Sequence, residues 1–132
     1  MLASIILAED HALVRQGLRG IIQEDPAVQV TYEAGNGLEV LEFLKDNVPD
    51  VVILDISMPH LGGLEAAQII KAQYPTIKIV ILTMHRERHF FQKALEIGVN
   101  GYILKDEADS VLMNAIQAVL DGKTYFSPLV YR

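Results

Sequence analysis

Val51-Val52-Ile53-Leu54-Asp55-Ile56-Ser57-Met58-Pro59 is the stretch whose reading decides the fold. Four apolar residues, three of them β-branched, run directly into a carboxylate. An apolar run without polar alternation suits a strand covered on both faces, as in a parallel sheet flanked by helices. Asp55 then stands at the strand's carboxyl end, where open α/β sheets place their ligands. Pro59 and Gly62-Gly63 stop the strand and bend the chain into a loop around the carboxylate. Taken alone, an Asp after a strand more often caps the next helix or satisfies loop amides.

Before this stretch, Ser4-Ile5-Ile6-Leu7-Ala8 reads as a buried strand ending in Glu9-Asp10. Leu13, Val14, Gly17, Leu18, Ile21 and Ile22 then mark one face of a helix, and Asp25-Pro26 breaks it. Val28, Val30 and Tyr32 alternate with polar residues, the period of a less buried strand at a sheet edge. Gly35-Asn36-Gly37 turns the chain into a short helix carrying Leu38, Val40, Leu41 and Leu44. After the Asp55 loop a third helix runs from about Leu64 to Tyr74, with Leu64, Ala67 and Ile70 inward. A fourth strand, Ile77 to Leu82, ends at Thr83. A fourth helix holds Phe90, Phe91, Ala94 and Leu95 and ends at Gly98. Gly101-Tyr102-Ile103-Leu104 is a short fifth strand ending at Lys105. The last helix carries Val111, Leu112, Ala115, Ile116, Val119 and Leu120. Residues 1–121 therefore form one domain, and 122–132, without periodicity, read as the start of a linker.

Five strands alternating with five helices predict a doubly wound α/β fold with a five-stranded parallel sheet. Right-handed crossovers and the edge-like second strand favour the order 2-1-3-4-5, which puts the switch point between strands one and three. Glu9-Asp10 and Asp55 then converge on one crevice.

The totals narrow the chemistry. The chain has 132 residues, 51% apolar and 21% charged, enough for one substantial core. No apolar run is long enough to span a membrane. The start at Met1 lacks a basic n-region and reads as no signal peptide. The absence of cysteine excludes disulfides and thiolate zinc sites. A cytoplasmic location is the expectation. A formal net charge of −6 argues against direct nucleic-acid binding by this domain.

Glu9, Asp10, Asp55, Thr83 and Lys105 thus occupy the carboxyl ends of four strands. Three neighbouring carboxylates repel one another, and a hard divalent cation compensates them. Mg²⁺ suits carboxylate oxygens, a carbonyl and retained waters. With a metal, an ammonium and a hydroxyl, such a cleft can stabilise a phosphoryl group on one carboxylate. Asp55, on the central strand and facing both cations, is the acceptor of choice. The competing interpretation is a salt-bridged structural cluster.

Ala8-Glu9-Asp10-His11, the Leu54-to-Pro59 box with Gly63, Leu82-Thr83 and Gly101-Tyr102-Ile103-Leu104-Lys105 together resemble the receiver domain of bacterial two-component response regulators. Asp10-His11-Ala12-Leu13-Val14-Arg15-Gln16-Gly17-Leu18 and Lys105-Asp106 are most similar to the NarL/FixJ group, whose output domains are LuxR-type helix-turn-helix modules. The resemblance implies the flavodoxin-like (βα)5 fold and phosphorylation of Asp55 by a sensor histidine kinase. It implies Mg²⁺ held by Asp10 directly, Glu9 through water, the Asp55 carboxylate and the Ser57 carbonyl. Lys105 would pair with the phosphoryl oxygens, Thr83 would move to bond them, and Tyr102 would rotate inward as the switch. The implied output is transcription regulation through a DNA-binding domain absent here, with a homodimer allowed.

Met84, His85 and Asp106 depart from the commonest receiver pattern and bear on the lifetime of the phosphoryl group. His11 and His60 read as loop or cap residues rather than metal ligands, and one of Phe90-Phe91 as core. Arg86-Glu87-Arg88-His89 reads as a solvated helix start; two arginines there oppose the helix dipole, which would suit a partner surface. A haloacid-dehalogenase-like phosphatase would need a second Asp where Ser57 stands. A flavodoxin-type carrier would need a phosphate loop where Glu9-Asp10-His11 would repel phosphate. A receiver-like docking module working without phosphorylation is the third class.

Overall fold

The structure is a computed structural model that describes residues 2–131. Met1, read above as part of an unsignalled start, and Arg132, the end of the expected linker, lie outside them. In chain order the elements are β1 (Ala3–Ala8), α1 (Ala12–Ile22), β2 (Val28–Ala34), α2 (Gly37–Leu44), β3 (Val51–Leu54), α3 (Gly63–Gln73), β4 (Lys78–Thr83), α4 (Arg88–Ile97), β5 (Gly101–Leu104), α5 (Ala108–Leu120) and β6 (Tyr125–Phe126). The strands pair in parallel in the order β2-β1-β3-β4-β5-β6. The doubly wound core order expected from the sequence is the observed one.

Successive side chains of a strand point to opposite faces, so each central strand feeds two cores. Ile6, Val52, Leu54, Ile79 and Ile81 meet α2, α3 and α4 on one face. Ile5, Leu7, Val51, Ile53, Val80 and Leu82 meet α1 and α5 on the other. That is why β3 reads as an unbroken apolar run. β2, at the edge, keeps Gln29 and Thr31 in solvent between Val28 and the half-buried Val30 and Tyr32.

Two expectations change. Leu13 and Val14 are not inward: Leu13 is 81% exposed. They lie in the first turn of α1, which starts only four residues after β1 ends, and burial on this helix begins with Leu18 and Ile22. Leu38 and Leu95 are likewise exposed on their helices. The second change concerns residues 122–132. Tyr125–Phe126 form a sixth strand on β5, and residues 128–131 form a 3₁₀ turn that buries Val130. The physical reason is the free rim of β5: the Tyr125 amide donates to the Asn100 carbonyl at 3.0 Å and the Ser127 amide to the Tyr102 carbonyl at 2.9 Å. Two residues are too few to show a period, so the sequence pattern could not announce them. Of the Phe90-Phe91 pair, Phe91 is the core residue, edge-on to Tyr102 and Phe126.

Candidate functional site

Strand register assembles the crevice. Ala8 pairs with Leu54, Leu54 with Ile81, and Thr83 with Leu104. The residues that follow or end these strands therefore emerge side by side: Glu9, Asp55, Thr83 and Lys105. The Asp55 amide donates to the Ala8 carbonyl at 3.2 Å, fixing the end of β3 beside that of β1. Behind Asp55 the chain folds back on itself, and the Gly63 amide donates to the Ile56 carbonyl. A Cβ at Gly63 would stand 2.0 Å from the Asp55 carbonyl oxygen, so only glycine permits this approach.

One ammonium joins two of the acids. Lys105 Nζ lies 2.8 Å from Asp55 Oδ2 and 2.5 Å from Glu9 Oε1. Glu9 is 1% exposed, Asp55 5% and the Lys105 side chain 14%, so these charges are largely shielded from bulk water. Burial alone would raise the Glu9 carboxyl's pKa, but the Lys105 ammonium and the His11 amide hold it below the usual carboxylate range. Burial likewise opposes the charge on Lys105, and its bonds to Asp55 and Glu9 more than restore it, raising its pKa.

Glu9 Oε2 accepts from the His11 amide at 3.0 Å and contacts His11 Nδ1 at 3.3 Å, and the same nitrogen lies 3.3 Å from Asp10 Oδ1. His11 is the N-cap residue of α1, yet its side chain makes no capping bond. Its ring faces the acids instead, a role the sequence reading did not give it, although its position directly after two carboxylates was the available signal. Glu9, Asp10 and His11 each place a ligand atom within 4.8 Å of the others. Glu9 Oε1 is buried and faces Lys105 without hydrogen-bond alignment. Two adjacent carboxylates, one of them buried with a single ammonium for counter-charge on its Oε1, form a donor set that fits a hard divalent cation such as Mg²⁺. His60, exposed at φ 66° in the β3–α3 loop, is not among the clustered ligand atoms.

The β4 side is tied through His85. Its ring Nε2 is 2.6 Å from Ser57 Oγ, its amide donates to Thr83 Oγ1 at 3.2 Å, and its carbonyl accepts from the Tyr102 hydroxyl at 2.9 Å. Its ring also packs on Phe90. Tyr102 is fully buried, and burial raises its phenol pKa well above the ordinary value. In this structure the Tyr102 ring points inward, where the His85 carbonyl gives its hydroxyl a partner. Met84 is 68% exposed. Arg86 pairs with Asp106 across the β4–α4 and β5–α5 connections, so part of the expected solvated helix start is bonded.

These features match known proteins. The family model for the response regulator receiver domain matches residues 5–117. The response regulator UvrY of Escherichia coli (strain K12) is 36% identical over 124 residues, 94% of this chain and 57% of its own length. The transcriptional regulatory protein DesR of Bacillus subtilis (strain 168) is 38% identical over 125 residues, 95% of this chain and 62% of its own. A crystal structure of a LuxR-family two-component response regulator from Aurantimonas sp. SI85-9A1 superimposes with a TM-score of 0.94 at 35% identity, covering 99% of this chain and 94% of that one. The chain belongs to the response regulator receiver family. It spans somewhat over half the length of these two curated relatives, and no helix among the described residues is long and apolar enough to cross a membrane.

Proposed function

We propose that this domain accepts a phosphoryl group on Asp55 from a sensor histidine kinase, in a Mg²⁺-dependent reaction. The observation that carries the reading is the Lys105 ammonium shared by Asp55 and Glu9 at the mouth of the sheet. Asp55 Oδ2 is engaged by Lys105, which leaves Oδ1 to attack phosphorus. The P–N bond of the phosphohistidine breaks, and its electron pair returns to the imidazole. Lys105, already positioned, then neutralises phosphoryl oxygens. Glu9, Asp10, the Asp55 carboxylate and the Ser57 carbonyl would hold Mg²⁺, which supplies charge that offsets both the acids and the phosphoryl oxygens. Thr83 would exchange its contact with the His85 amide for a phosphoryl oxygen, drawing on the loop that carries the Tyr102 acceptor. That is how a local charge would reach α4 and β5.

The domain's own chemistry is then limited to gaining and losing this group. By likeness to DesR, whose name is that of a transcriptional regulator, and to a LuxR-family structure, the switch would control a helix-turn-helix output domain and so transcription, from the cytoplasm. Intact-mass measurement after incubation with a small acyl phosphate and Mg²⁺ tests the core claim. Wild type should gain one phosphoryl group and Asp55→Asn none. Equal modification of both would overturn the assignment of Asp55, and modification of neither would favour a docking module that works unphosphorylated.

A further inference from the structure

The acidic turn after β1 is held from behind by a side chain on another element. Arg15, one turn into α1, donates from Nη1 to the backbone carbonyl of Glu9 at 2.7 Å and from Nε to Glu33 Oε1 at 3.3 Å. Glu33, near the end of β2, is held at its other oxygen by Arg19 Nη1 at 2.7 Å. The guanidinium is a planar fork, so two acceptors in fixed positions fix its orientation. A peptide unit is also planar, so a bond to the Glu9 carbonyl sets the plane of the Glu9–Asp10 peptide. That plane sets the backbone from which both carboxylates project. The Arg15 and Glu33 side chains are half-buried, 24% and 26% exposed, so their contact is held in place rather than freely solvated. The charge itself does not assist a cation: a guanidinium beside an acidic cluster repels one.

We propose that Arg15 is a positioning residue for the divalent-cation site, acting through the Glu9 carbonyl, with Glu33 holding its guanidinium in place. The inference rests on the Mg²⁺ reading given above. It makes a prediction opposite in sign to the electrostatic one. Removing a positive charge from an acidic cleft should tighten Mg²⁺ binding by attraction alone; releasing the Glu9–Asp10 peptide should weaken it.

The test is an NMR titration with MgCl₂, following the backbone amides of Glu9, Asp10 and His11 without any phosphodonor. Arg15→Met should raise the Kd for Mg²⁺ about tenfold, at the low end of the losses seen when an outer support of a metal ligand is removed. Arg15→Lys, which keeps the charge and one donor, should fall between Arg15→Met and wild type, and it decides the matter if Arg15→Met fails to fold. Arg19→Met removes an equal charge that reaches Glu33 but not Glu9, and should bind Mg²⁺ as wild type or slightly tighter. Arg15→Met binding as tightly as wild type would overturn the inference alone, as would Arg19→Met weakening binding equally. If wild type shows no Mg²⁺-dependent shifts at these amides, the Mg²⁺ reading itself falls and this inference with it.

Discussion

Replacing Lys105 by Met removes the one ammonium between two buried carboxylates and leaves them to repel each other. Breaking a buried charge pair by deleting one partner costs about 3–5 kcal/mol. Because this site opens at the crevice mouth, the lower end applies, about 3 kcal/mol at pH 7. For a chain of this length 1 kcal/mol moves Tm by about 4 °C, so Lys105→Met should melt about 12 °C below wild type. The loss should depend on pH in a direction the structure dictates. In wild type the Glu9 carboxyl is held low, so its contribution is complete above the ordinary carboxylate pKa and disappears as pH falls through the lowered value. Without Lys105, burial is the largest influence left on the carboxyl and is expected to raise it against the His11 bonds that lower it. Such a group stabilises fully below its unfolded pKa and loses that stability as pH rises through the folded one. The gap between variant and wild type should therefore narrow from pH 7 to pH 5, and Mg²⁺ should narrow it at pH 7. Urea unfolding followed by circular dichroism at both pH values measures this. A gap under 1 kcal/mol, or one unchanged between pH 7 and pH 5, would refute the assignment of Lys105 as the shared counter-charge.

Two glycines should respond with opposite signs to the same change. Gly63→Ala places a Cβ 2.0 Å from the Asp55 carbonyl and should cost about 3 kcal/mol and reduce phosphorylation, whereas Gly17→Ala, with nothing within 4 Å inside α1, should gain about 0.5–1 kcal/mol; thermal melts separate them. Asn36→Ala removes the side-chain oxygen that caps α2 at the Glu39 amide, 3.0 Å away, and should lower Tm by about 4 °C while the mass-detected phosphorylation of Asp55 stays unchanged. Glu9→Gln should flatten the acid limb of the stability–pH profile, because it deletes the carboxyl whose lowered pKa contributes to that slope.

The parts of this molecule that were legible in the sequence are those with local causes. Val51–Leu54 is apolar throughout because both of its faces are covered, and a carboxylate after such a run must stand at the sheet's carboxyl end. What escaped depends on contacts between distant positions. Leu13 fits the apolar period of α1 but lies in a turn the sheet does not cover. The Arg15–Glu33 bond joins residues 18 apart on different elements, and nothing in either neighbourhood announces it. The sequence places Tyr102 on its strand, but the partner of its buried hydroxyl, the His85 carbonyl, comes from a distant loop. The motif locates the acids and Gly63, but the close approach of Gly63 to the Asp55 carbonyl is a property of the folded loop alone.

The two-residue strand Tyr125–Phe126 has a practical consequence for anyone trimming this domain. With it in place, the backbone rim of β5 has its partners, and Ser127 and Val130 close the corner near α4. Cut at residue 121, the same rim would offer unpaired amides and carbonyls together with the uncovered edge of Phe91, a template on which neighbouring molecules can stack. Loss of those few terminal residues would therefore show first as clumping in the test tube, well before any defect in signalling was sought.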